Sequence, residues 1–310
     1  MPDIVVMFFL LGLIAGVLRS DLNIPKAAYD TLSLLLMLTI GLKGGMALHG
    51  AISLSLIGEL LVVALIGALI PLLIIPVLRI GARLNWHDSA SLAAHYGSVS
   101  AGTFAVVLAY VETQSLQFGP QVTLYLVMLE LPAILVSLAL YRKFNANVNS
   151  EGGAIKLWHE TLTNRGVVLL VGGVIIGWMY GPMQGAGVTE LFTSAFKGVL
   201  ALFLLEMGLT AAETLRPIPW TKWKLLIFAL ITPMCLACVG AVAGHGMGLS
   251  DGSILILATL TASASYIAAP AAIRTAIPDA DIGLAMLLSL GITFPFNVMI
   301  GIPLYHAWLV

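Results

Sequence analysis

The chain has 310 residues, of which 60% are hydrophobic and 9% charged, with a net charge of -1. Soluble proteins carry about 25% charged residues, and a mean hydropathy of +1.03 leaves no water-facing shell, so a soluble globular fold is excluded. The balanced charge also excludes the basic field that a nucleic acid partner requires.

What remains is a chain built for the bilayer, where a helix needs roughly 17–25 apolar residues to cross. The apolar runs predict ten spans, at 4–19, 27–48, 52–78, 87–111, 121–141, 162–181, 189–212, 223–246, 252–273 and 282–308. Met1-Pro2-Asp3 leads straight into the first run, so that run is expected to serve as its own insertion signal. Pro71 and Pro76 predict a tilt or kink in the long third span. The one polar stretch of any length, 142–161, is expected to be a linker between a first five-span repeat (1–141) and a second (162–310). In the eighth span, Cys235 and Cys238 form a C-x-x-C with no second pair or nearby His, which reads as two small residues on one helix face.

Charge placement orients these spans. Twelve of the 14 Lys and Arg residues fall in or beside odd-numbered loops, from Arg19 and Lys26 through Arg142 and Lys143 to Arg274, and only Lys43 and Lys197 fall elsewhere. The positive-inside rule then places odd loops in the cytoplasm and both termini outside. Five spans per half is an odd number, so halves of like fold must be inverted relative to each other. Gly12-Leu13-Ile14-Ala15-Gly16 resembles Gly173-Val174-Ile175-Ile176-Gly177, and Gly41-Leu42-Lys43-Gly44-Gly45 resembles Gly208-Leu209-Thr210-Ala211-Ala212. The second pair is offset by 167 residues, which also sets Ser98 on Ser265. The expected fold is therefore an all-α integral membrane protein, ten helices in a 5+5 inverted repeat.

Two spans are interrupted near their middles, at Gly97-Ser98-Val99-Ser100-Ala101-Gly102-Thr103 and at Ser263-Ala264-Ser265-Tyr266-Ile267-Ala268-Ala269-Pro270. Small and hydroxyl-bearing residues let a helix unwind and satisfy the freed backbone groups. A half-helix N-terminus then offers free N–H groups and a positive dipole end to an anion, and the facing carbonyls suit a small cation. The same composition also permits plain close packing of helices. Read as a site, the two clusters predict substrate binding by residues 97–103 and 263–266, where two broken helices cross.

Ionisable residues inside spans are costly and need partners or a wet cavity. Asp30 and Lys197, near span ends, read as snorkelling groups, and Glu59 as a helix contact. His95 reads as a packed histidine more readily than a proton relay, while Glu206 stays open between roles. Glu130, central and beside Pro132, reads as functional; Lys43, among glycines, is equally a snorkelling group or a tethered cation. With Ser263, Ser265 and Asn297 these two are the candidates for ion coupling. Enzyme chemistry is not expected: there is no G-x-x-x-x-G-K-[ST] loop, no H-E-x-x-H at His159-Glu160, and no G-x-S-x-G around Ser100.

At Gly41–Ala47, Gly97–Thr103, Glu130-Leu131-Pro132-Ala133, Ser263–Pro270, and the closing Ile273–Pro278 and Gly301–Leu304, the sequence resembles the cyanobacterial-type sodium-dependent bicarbonate transporter family. The resemblance implies a secondary transporter of the bacterial inner membrane, assembled as a trimer, that moves bicarbonate by alternating access. The chain departs from the family pattern where Tyr266 stands in place of an aspartate and Lys43 in place of a neutral residue. The departure puts a sodium ion at the crossing in question, and a fixed cation or a proton on Glu130 is the expected substitute. No cofactor is expected beyond the coupling ion, Na+ or H+. The short 142–161 linker argues against a regulatory soluble partner. An organic-anion carrier of the bile-acid-symporter type and an anion channel are the alternatives.

Overall fold

The computed structural model describes residues 4–50, 54–144, 163, 165–216 and 220–309, and within them every regular element is helical. Helix α1 (Ile4–Leu18) stops where Arg19 turns to a φ of 58°. Pro25 fixes the start of α2 (Lys26–Leu48), and α3 (Leu54–Pro76) runs on through a π turn at Val77–Gly81. Asn85 caps α4 (Trp86–Gly97) by accepting the Asp88 N–H at 2.7 Å, and after a three-residue gap α5 (Ala101–Thr113) continues. Helix α6 (Val122–Phe144) follows, then α7 (Arg165–Gln184), α8 (Ala186–Thr214) and α9 (Trp223–Gly246). The chain closes with α10 (Asp251–Thr261), α11 (Ala268–Ala276) and α12, which covers Ile282–Leu309 with π segments at Leu287–Thr293 and Asn297–Gly301.

Eight stretches are long and apolar enough to cross a membrane, counting Trp86–Thr113 as one, and two shorter apolar helices are α1 and α10. Exposed Leu61, Leu65, Leu73, Ile231 and Val242 present the hydrocarbon surface that a bilayer covers. Span limits shift where local chemistry decides them. Helix α6 extends past the expected end at 141 because Arg142 and Lys143 sit in its last turn, where the helix dipole favours cations. The expected linker beyond Phe144 lies outside the described residues, as does Lys156. The expected spans 87–111 and 252–273 are each two helices separated by non-helical backbone.

The two sequence halves interleave. Helices α1, α2, α7 and α8 pack on one another, chiefly as the pairs α2–α7 and α1–α8, while α3 packs on α4 and α6, and α9 on α10 and α12. Small residues make the first group possible. A Cβ at Gly12 would strike the Leu205 carbonyl, one at Gly208 the Phe9 carbonyl and one at Gly41 the Leu170 carbonyl, where Gly41 of α2 also faces Gly173 of α7. The glycine motifs that resemble each other in sequence thus do not touch their own likenesses. Each touches the other motif of the opposite half. Between the two groups of helices lie the breaks after α4 and α10.

Candidate functional site

Local backbone chemistry sets each break. Ser98 and Ser100 are extended (ψ 176° and 117°), and Ser100 caps α5 by accepting the Thr103 N–H at 3.0 Å. At the second break Ser265 Oγ accepts the Ala269 N–H at 3.1 Å, which satisfies a first-turn donor of α11. The breaks are tied directly together: Ser100 N–H donates to Ser263 Oγ at 2.9 Å, and Ser265 N–H donates to the His95 carbonyl at 2.7 Å. Backbone groups freed by unwinding one helix are therefore satisfied by the other. Ser263 Oγ also donates to the Leu260 carbonyl at 2.7 Å, so it serves both strands of this joint.

Beside the joint lies a cavity with about 540 Å³ of empty space, its open mouth included. Val99, Ser100 and Ala101 line it from the first break, and Ser265, Tyr266, Ile267 and Ala268 from the second. The N-terminal ends of α5 and α11 both border this space, so two positive dipole ends face one chamber. Helix α2 adds Ser33, Leu34 and Met37, α6 adds Leu126 and Glu130, and α7 adds Arg165, Gly166, Val167 and Leu170. Arg165 pairs with Asp30 at 2.8 Å, and this side chain, 47% exposed, marks the mouth.

The expected site residues divide accordingly. Val99, Ser100, Ala101, Ser265, Tyr266 and Glu130 line the cavity. Gly97, Ser98, Gly102, Thr103, Ser263 and Ala264 lie buried behind it. Gly97 lets Pro71 of α3 and Ala133 of α6 close on the break, and a side chain at Gly102 would collide with the Tyr266 hydroxyl. Asn297, with no exposed surface, is a brace: its Nδ2 donates to the Ala262 carbonyl at the end of α10 and its Oδ1 accepts from Tyr305, both at 2.8 Å. Lys43 is likewise apart from the cavity lining. Its Nζ lies 2.5 Å from Glu112 Oε1 and 4.6 Å from the centre of the Phe196 ring.

Other intramembrane groups also find roles. Glu59 joins α3 to α6 through Tyr125 and through Gln121 at 2.9 Å. His95 donates from Nδ1 to the Ser91 carbonyl at 2.7 Å and leaves Nε2 without a partner among the described residues. Asp30 pairs with Arg165, and Glu206 accepts from Thr210 at 3.4 Å. Sequence reasoning missed the α2 and α7 wall, because Ser33, Met37, Val167 and Leu170 carry no motif. Arg165 was visible only as one more basic loop residue.

A protein-family comparison now bears on this geometry. Residues 4–310 match the Na+-dependent bicarbonate transporter superfamily. The chain belongs to that superfamily. A search of curated proteins finds no match. Family membership and several membrane-length helices make the protein a multi-pass membrane transporter. The family is named for sodium, and among the described residues no three His, Cys, Asp or Glu side chains gather as a metal centre would need. That donor set excludes no sodium site, since hydroxyl and carbonyl oxygens suffice for a hard cation.

Proposed function

We propose that this superfamily member is a secondary transporter that binds bicarbonate at the junction of the α4–α5 and α10–α11 breaks. The observation that carries the reading is the pair of helix N-termini, α5 and α11, bordering one cavity beside two hydrogen bonds that join their backbones. Such a chamber stabilises a small anion by dipoles and N–H groups without a fixed counter-charge. The topology read here is ten spans as two inverted repeats, with α1 and the two broken pairs each counted as a span. It is supported by the packing, in which α1–α8 and α2–α7 are exchanged when the halves are interchanged. Odd loops then face the cytoplasm and both termini face outward, in a bacterial inner membrane, with trimeric assembly as the resemblance implies. The cavity mouth at Arg165 lies on the cytoplasmic side of that topology, so the conformation is open inward.

Alternating access follows from the grouping of helices. Helices α2 and α7, of the group that also holds α1 and α8, form one wall of the cavity, and the two breaks with α6 form the other, so relative motion of the two groups would close the Arg165 mouth. The deciding measurement is labelled bicarbonate uptake by proteoliposomes: saturable uptake supports the reading, and steady ohmic current with no saturation favours a channel. The apolar wall of Leu34, Met37, Val167 and Leu170 favours a second reading, an organic-anion carrier. Competition separates the two, since monocarboxylates that displace bicarbonate at lower concentration than bicarbonate itself would make the organic anion the substrate.

A further inference from the structure

Lys43 and Glu112 tie together the two groups of helices that enclose the cavity. Lys43 Nζ of α2 lies 2.5 Å from Glu112 Oε1 of α5, and 4.6 Å from the centre of the Phe196 ring of α8. Neither charge lines the cavity. Lys43 follows the lining residue Met37 by about two turns of α2, and Glu112 follows Ala101 by about three turns of α5, so the pair sits on the side away from Arg165. With 23% and 27% of the side chains exposed, both charges are largely out of solvent. An ion pair in full solvent contributes little, whereas one shielded to this degree attracts strongly, and the ring face holds the ammonium further. Separating the pair strands one charge on each group until water fills the gap.

The mouth has no matching pair. Helix α5 packs on both α2 and α8, while its counterpart in the second half, α11, packs instead on α4, α6 and α12. The offset of 167 residues between the halves sets Lys43 on Thr210 and Glu112 on Asp279. A threonine carries no charge to answer the aspartate, and its hydroxyl donates to Glu206 of its own helix. We propose that Lys43 and Glu112 latch the outer gate, and that this one-sided latch makes the inward-open conformation the resting state. This rests on the transporter reading above and concerns the gate, not the binding of substrate or coupling ion. In an inverted repeat the outward-open conformation exchanges the roles of the halves, so α11 closes on α2 and α8 while α5 withdraws. A pair present in only one of two conformations shifts their balance by its own strength. The latch is then broken and remade once in each cycle. Lys43 and Glu112 are positioning residues, which set the side from which the cavity is open.

The test reads which side of the membrane reaches the cavity. The full chain with Cys235→Ala and Cys238→Ala carries Met37→Cys in the cavity wall, and vesicles of each orientation are treated with a membrane-impermeant maleimide. With the latch intact, labelling from the cytoplasmic side is expected to dominate. Lys43→Thr, Glu112→Gln and the double variant are each expected to raise the ratio of outside to inside labelling by roughly 5- to 150-fold. The double variant is expected to go no further than the singles, because all three remove one interaction. Lys43→Arg keeps the charge and is expected to stay near the original ratio. An unchanged ratio in the three neutral variants overturns the proposal even if their melting temperatures fall, since a pair that only braces the fold lowers stability without opening the cavity outward. A rise in Lys43→Arg equal to that in Lys43→Thr also overturns it. Should Glu112→Gln not fold, Lys43→Thr decides alone. Labelling needs no transport, so a wild type that takes up no bicarbonate defeats the transporter reading and leaves the latch to be judged by the ratio.

Discussion

The two ends of the crossing hold one ion pair each, and the pairs do different things. At the cavity mouth Arg165 and Asp30 join α7 to α2, two helices of the same packed group, with 47% and 30% of the side chains exposed. At the other end Lys43 and Glu112 join α2 to α5, one helix from each group, with 23% and 27% exposed and the Phe196 ring beneath the ammonium. Lys43 lies six residues beyond cavity-lining Met37, or about 9 Å along α2, and Glu112 lies eleven beyond Ala101, or about 16 Å along α5. The second pair therefore sits on the side away from the mouth. A pair within one group only stiffens it. A pair between groups ties the two groups to each other, so the end away from the mouth carries the stronger constraint.

The difference between the ends disappears altogether if the crossing itself is filled. Ser265→Leu removes the acceptor of the Ala269 N–H and puts three carbons in place of the hydroxyl in the cavity, and uptake is expected to fall to the liposome background while the variant still purifies as a folded protein. Next in size is the closed end. Lys43→Met or Glu112→Gln alone leaves a half-buried partner uncompensated, whereas the double variant removes both. A thermal-stability cycle is expected to give a coupling of about 1–3 kcal/mol, and strictly additive values would show that the pair closes nothing. Asn297→Ala deletes both hydrogen bonds that brace the end of α10, with an expected cost of about 1–3 kcal/mol and a weaker bicarbonate affinity; a loss of stability with affinity unchanged would make Asn297 a brace for the fold alone. The mouth gives the smallest effect. Asp30→Asn is expected to change stability by at most about 1 kcal/mol, and by less in high salt, as measured by melting.

Much of this was legible in the chain. Both breaks announce themselves as clusters of Ser, Gly and Ala inside apolar runs, and the capping role of Ser100 follows from a hydroxyl placed just before a helix start. Glu130 stands out because it is central in its span and beside Pro132. The partner of Lys43 was not legible: Glu112 lies 69 residues away, and only packing of α5 against α2 brings the two together. For Asn297, a candidate for ion coupling, only the fold shows its hydrogen bonds to Ala262 and Tyr305. The similar glycine motifs were visible as a repeat. That each packs against the other motif of the opposite half was not, since self-similarity carries no information about which copy meets which.

By itself, the sequence determined the medium, the helical class, the positions of the two breaks and the buried carboxylate. These follow from transfer free energy and backbone satisfaction, which act residue by residue along the chain. Tertiary structure alone decided which break satisfies which, that α2 and α7 form the cavity wall, and which charges are already paired. Those depend on distances between residues far apart in sequence, where an interaction worth several kcal/mol in a dry chamber vanishes if the partners are on opposite faces.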